Sequence, residues 1–122
     1  VWGRVPDMRT WLKGADLAIV PLPIARGVQN KVLEAMAMAR PVVASAQAAE
    51  GIRAEAGRDF VLAQGEAEFA HAVVVQLQTP SSAAPARDSI LAHYDWARNL
   101  GVIDPLFEAA PAAAPVLETC PA

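Results

Sequence analysis

Two residues a helical turn apart, Lys31 and Glu34, carry the most chemistry in this sequence. They follow a loop, Pro21 to Lys31, in which Gly27 lets the backbone come close to a ligand with no side chain in the way. A helix that opens after such a loop presents unpaired N–H groups and the positive end of its dipole, a ready site for an anion. A carboxylate at Glu34 can accept two hydrogen bonds from a ribose diol, and such charge-assisted bonds are the strong kind. Lys31 can bind phosphate and would offset the repulsion between Glu34 and that phosphate. One helix end would then hold both the diphosphate and the sugar of a nucleotide. The same pair also suits a solvated helix face, where an early Glu is favoured by the dipole and a nearby Lys makes a surface ion pair worth little. Spacing alone leaves both readings open.

The elements that must position this pair are legible in the hydrophobic pattern. Leu17 to Pro21 is a compact apolar run of the kind buried in a parallel strand. The pattern from about Gln29 to Ala39 predicts a helix, with Pro41 just beyond its end. Pro41 to Ser45 is a second buried strand, so the span is a βαβ unit in a parallel sheet. Ligands bind such sheets outside the carboxyl ends of the strands. Two loops lie there, Pro21 to Lys31 and Ser45 to Gly51.

Around this unit, Val1 to Asp7 reads as a strand end and turn, and Met8 to Lys13 as a short helix stopped at Gly14. Asp59 to Ala63 reads as a third strand. Glu66 to Gln78 reads as an amphipathic helix with Phe69, Val73 and Leu77 on one face, flanked by Ala70 and Val74. A linker at Thr79 to Ser82 precedes a helix over Ala86 to His93. Asp95 caps a last helix carrying Trp96, Leu100 and Ile103, bent or ended near Pro105. The expected fold class is α/β, a parallel sheet flanked by helices. Residues 1–108 read as one partial domain, and 109–122 as an Ala/Pro-rich tail expected to be disordered. Because the chain opens on Val1 and not Met, it reads as a piece of a longer protein.

Composition narrows the function classes. Of 122 residues, 54% are hydrophobic and 19% charged, enough to build a core. The net charge of −3, with no basic run, argues against nucleic acid as a partner. The single cysteine, Cys120, cannot form an internal disulfide, and no Cys/His cluster offers a metal site. A reducing, cytoplasmic compartment fits. No apolar run approaches the length of a membrane span.

The run from Gly27 through Val28, Gln29, Asn30, Lys31, Val32, Leu33 and Glu34 to Ala44 resembles the donor-site signature of the group 1 (family 4) retaining glycosyltransferases of GT-B architecture. That signature is a Glu, seven residues, a second Glu, then Ala-Met-Ala-x-Gly-x-Pro-Val-Val-Ala. The wording Arg-Gly-x-Gln-Asn-Lys-Val-Leu-Glu is most similar to sugar transferases associated with PEP-CTERM and exopolysaccharide gene systems. More loosely, the resemblance extends from Gly3, Val5 and Asp7 to Tyr94 and Trp96.

The resemblance implies the later half of a Rossmann-like nucleotide-binding domain, facing a first GT-B domain across a cleft. It implies transfer of a sugar from a nucleotide-diphosphate donor to a glycan or lipid-linked acceptor, with retention, and with neither cofactor nor metal. Exopolysaccharide or cell-surface polysaccharide synthesis follows, in the cytoplasm or peripherally at the inner face of the membrane. Residue by residue, it implies that Glu34 contacts the ribose hydroxyls. Backbone amides of Gly27, Val28, Gln29 and Asn30 meet the diphosphate, Lys31 reaches the phosphates, and Val5 and Met8 line the base pocket, although core packing explains those two equally well. Arg26 stands where the first Glu contacts the transferred sugar, and an Arg cannot accept hydrogen bonds from hydroxyls. Either the sugar is held differently, for example through a carboxylate on the donor, or Arg26 clamps phosphate, or it is a solvated loop residue. Ala39 replaces the signature's Gly, with the turn expected on the next residue.

The remaining polar residues are weaker candidates. Gln47, Glu50 and Gly51 are read as filler of the second loop, His71 as exposed, and His93, Tyr94 and Trp96 as packing around the last helix. Two other functions share the pattern: a GT-B-like nucleotide-sugar epimerase, and a non-catalytic remnant or interaction module, which Arg26 keeps open. An exposed strand edge predicts poor solubility of the chain in isolation.

Overall fold

In the computed structural model, which describes residues 3–108, the first helix starts because Asp7 caps it. The Asp7 carboxylate accepts from the Arg9 N–H at 2.9 Å and from the Arg9 guanidinium, which holds its pKa below the usual carboxylate range. The helix, α1, spans Met8–Gly14. Residues 3–7 form no strand, and the first two residues of the strand end and turn expected over Val1 to Asp7 lie outside the described residues. The tail expected at 109–122 lies outside the described residues.

Three short parallel strands follow in sequence order. β1 is Ala18–Val20, β2 is Val42–Ala44 and β3 is Val61–Leu62, with Ala18 opposite Val42 and Val43 opposite Val61. Between β1 and β2 lies α2, Asn30–Ala37, whose Val32, Ala35 and Met36 are fully buried. These residues meet Val20, Val42, Ala44, Phe60 and Ile90 in the main core. Truncating the fully buried Met36 to Ala should cost about 2–5 kcal/mol by the usual range for core cavities.

The end of α2 is a Schellman motif. The Arg40 N–H donates to Ala35 O at 3.0 Å and the Ala39 N–H to Met36 O at 2.9 Å. Ala39 itself takes the left-handed turn, with φ 51°, so the expectation that the next residue would do so is corrected. The motif requires the turn at the residue after the C-cap, Met38.

After β2, a helical turn that the pattern does not reveal, α3, spans Ala46–Ala49 and is capped by Ser45. The Ser45 hydroxyl accepts from the Ala48 N–H at 3.3 Å and donates to Leu22 O at 2.7 Å. After β3, α4 spans Gly65–Gln78 and packs on β2, on the face opposite α2. Its apolar stripe is only half used. Phe69 and Val73 are half-buried, but Val74 and Leu77 are 50% and 53% exposed, so no residue of α4 is fully buried. Ile19, on the same face of the sheet, is 54% exposed for the same reason: too little structure covers that side.

The helix α5 spans Ala84–His93, two residues earlier than its pattern suggests, with Pro85 in its first turn. It packs on α2 and is latched to the segment before β3 by a buried acid. The Asp59 side chain is fully buried and accepts from the Arg58 guanidinium at 2.8 Å, the Ser89 hydroxyl at 2.8 Å and the Glu55 N–H at 2.9 Å. The Arg58 bond in first place lowers the Asp59 pKa to about 2, against the opposing effect of burial. Asp59 is thus an anchor and not the first residue of the strand expected over 59–63.

The expected last helix is two short ones. Asp95 caps α6, Trp96–Leu100, by accepting from the Arg98 N–H at 2.9 Å. A turn containing Ile103 leads to α7, Asp104–Glu108, with Pro105 in its first turn, where a missing N–H costs nothing. The whole is an α/β fold, a parallel three-stranded sheet with helices on both faces.

Candidate functional site

The loop that leaves the carboxyl end of β1 is shaped by two residues. Gly27 has φ 69°, and nothing lies within 4 Å of where a Cβ would be. Backbone conformation, and not crowding by the protein, therefore selects glycine here. Gln29 is the N-cap of α2 but makes no side-chain cap. Its amide turns back instead and donates to Gly27 O at 3.0 Å and Arg26 O at 3.4 Å, which pins the loop. The α2 N-terminus is thus left without a capping side chain, and it faces the region beyond the strand ends where parallel sheets bind ligands.

The sequence candidates do not all fall in one place. Asn30 is the first helical residue and not part of the loop. Asn30 and Glu34 both line an open groove of about 580 Å³ between α2 and the pair α5–α6. Val28 and Trp96 also border it. Lys31 and Glu34 are both exposed, as on a solvated helix face, and neither takes part in an ion pair among the described residues. Lys31 does not line that groove, although it lies within a turn of Glu34. Arg26 is exposed, and its carbonyl accepts from the Gln29 amide.

Glu34 sits on a ridge. On its other side is a smaller depression of about 290 Å³ against α1, lined by Met8, Arg9, Leu12, Ala37 and Met38. Val5 is half-buried and lines neither depression beside Glu34, whereas Met8 lines the second. The two ligand-facing loops approach each other: a Cβ on Gly51 would lie 3.7 Å from Val28 Cγ2. Gln47 lies near the strand ends in a separate depression with Pro21, Ser45 and Phe69.

Two expectations for the C-terminal aromatics are corrected. Tyr94 does pack against the core, but Trp96 is 77% exposed beside the groove, and His93 is exposed. Capping by Asp95 starts α6 at Trp96 and turns the indole away from the core. The only sequence signal for this was the Asp before the Trp.

Chemically, the arrangement offers an uncapped helix end, an exposed cation one residue into that helix, and a carboxylate one turn further on. Among the described residues, no group of three or more acidic, His or Cys side chains could hold a metal ion, and no helix is long and apolar enough to cross a membrane. Residues 1–79 match the family described as glycosyl transferases group 1. No curated protein and no solved structure matches the chain.

Proposed function

The chain belongs to the group 1 glycosyl transferases, and we propose that it supplies the donor end of a retaining GT-B enzyme. The reading is carried by one observation. An unpaired, exposed carboxylate, Glu34, stands one turn into a helix whose N-terminus is uncapped and preceded by the Gly27 turn. On this reading, amides from Gly27 to Asn30 meet the diphosphate and Lys31 neutralises it. Glu34 accepts from the ribose hydroxyls. As the glycosidic bond breaks, negative charge grows on the departing diphosphate, and the helix end and Lys31 stabilise it without a metal. Arg26 adds a second cation, on the loop that precedes the helix. The acceptor is a glycan or lipid-linked glycan held largely by a first domain across the cleft. Exopolysaccharide synthesis at the inner face of the membrane is the setting that the Arg26–Glu34 wording suggests.

Calorimetry of nucleotide-sugar binding to the full-length protein, wild type against Glu34→Ala, tests this. Loss of a charge-assisted contact should cost about 1.5–3 kcal/mol. Unchanged affinity in a folded variant would return Glu34 to the solvated surface and remove the donor site.

A further inference from the structure

We propose that Gln29 is a positioning residue for the loop before α2: its side chain holds two carbonyls on one side, so that the N–H groups of the same peptides face the other. This role rests on the reading of the α2 end as the diphosphate site. The family signature involves Gln29 only through its backbone amide, whereas the role inferred here belongs to its carboxamide.

Gln29 stands at the N-cap of α2. Ser, Thr, Asp and Asn are preferred at such a position, because a short side chain can accept from the first helical N–H groups. Gln29 makes no such cap. Its Nε2 donates instead to Gly27 O at 3.0 Å and Arg26 O at 3.4 Å. Its backbone carbonyl accepts from the Val32 N–H at 3.0 Å and the Leu33 N–H at 3.4 Å. One residue therefore ties the loop on one side to the first turn of the helix on the other. The glycine does not fix the turn by itself, since Gly27 can leave its φ of 69° for other conformations at little cost.

A trans peptide is planar, with its C=O and N–H pointing in opposite directions. Arg26 O shares a peptide with the Gly27 N–H, and Gly27 O shares one with the Val28 N–H. Pinning both carbonyls toward Gln29 aims both N–H groups away from it. It also takes the negative ends of two peptide dipoles out of the way of an anion. The N–H groups of Gly27, Val28, Gln29, Asn30 and Lys31 all lack a partner among the described residues. Gly27 and Val28 are exposed, so a ligand can reach them.

The test compares full-length wild type, Gln29→Met, Gln29→Asn and Glu34→Ala. Gln29→Met keeps the side-chain length and cannot donate. Gln29→Asn keeps the amide but is a methylene shorter, which takes it out of reach of the two carbonyls and lets it cap the helix. The calorimetric probes are the diphosphates of uridine, guanosine and adenosine. Both Gln29 variants should bind the preferred diphosphate about tenfold more weakly. The melting temperature of Gln29→Asn should stay at or above that of the wild type. A cap or packing role would instead make affinity follow stability. In protein isotopically labelled at glycine, the Gly27 amide resonance should move downfield when the diphosphate is added to the wild type, and stay in place in Gln29→Met. Unchanged affinity in either folded variant would overturn the proposal, as would a Gly27 resonance that moves equally in both proteins. So would a loss of affinity in Gln29→Asn matched by a fall in melting temperature. The donor-end reading fails separately, if Glu34→Ala binds the diphosphate as tightly as the wild type. A wild type that binds none of the three diphosphates removes both.

Discussion

The hydroxyl of Tyr94, at the end of α5, accepts a hydrogen bond from the backbone N–H of Arg53, 2.7 Å away on the loop after α3. One contact thereby joins the C-terminal helices to a loop at the strand ends, and one wall of the Glu34 groove depends on it. Tyr94→Phe removes the acceptor and keeps the ring. It should lower stability by about 0.5–1.5 kcal/mol in urea unfolding with an unchanged slope. An unshifted midpoint would show that water replaces the hydroxyl at no cost.

Asp59 makes stability depend on acid. Its folded pKa, about 2, lies below the ordinary value of 3.8. A depressed carboxylate stabilises the fold above its unfolded pKa, and that stability is lost as pH falls through the folded pKa. The window therefore runs from about pH 4 down to about pH 2, and the contribution at neutral pH is on the order of 2 kcal/mol. Asp59→Asn should be destabilised at pH 7 and show a flatter acid limb. The check is a set of thermal melts between pH 2 and 7, and parallel limbs in the two proteins would contradict it.

Ala39 holds a conformation that suits glycine, φ 51° at the end of α2. A Cβ in the left-handed region costs about 1–2 kcal/mol, part of which the extra unfolded-state freedom of glycine cancels. Ala39→Gly should therefore raise stability by about 0.5–1 kcal/mol. A lower melting temperature for this variant would mean that the turn is not strained.

Ile19 is 54% exposed, and β1 pairs only with β2 among the described residues. With Val74 and Leu77 also exposed, that face should drive self-association of the isolated chain. Sedimentation should show weight-average mass rising with concentration, less so in Ile19→Lys. A monomer at all concentrations, melting cooperatively, would overturn this.

The sequence by itself determined the βαβ unit around Glu34, because buried parallel strands are continuous apolar runs and Pro41 stops the helix between them. It also determined the family, through the Gly27–Ala44 wording, and the residue types available for phosphate and diol chemistry. Other features were out of its reach. The turn at Ala39 follows from hydrogen-bond geometry at a helix end, where the next-residue alternative reads equally well in sequence. The partner of Asp59, Ser89, lies thirty residues away, and nothing local marks the pair. The halves of the α4 stripe differ in burial because of what the sheet does and does not cover, which period alone cannot reveal. Trp96 looked like core, since large apolar residues at helical spacing usually are. Only the tertiary structure put it outside, because the cap at Asp95 sets where α6 begins and which way its first side chain faces.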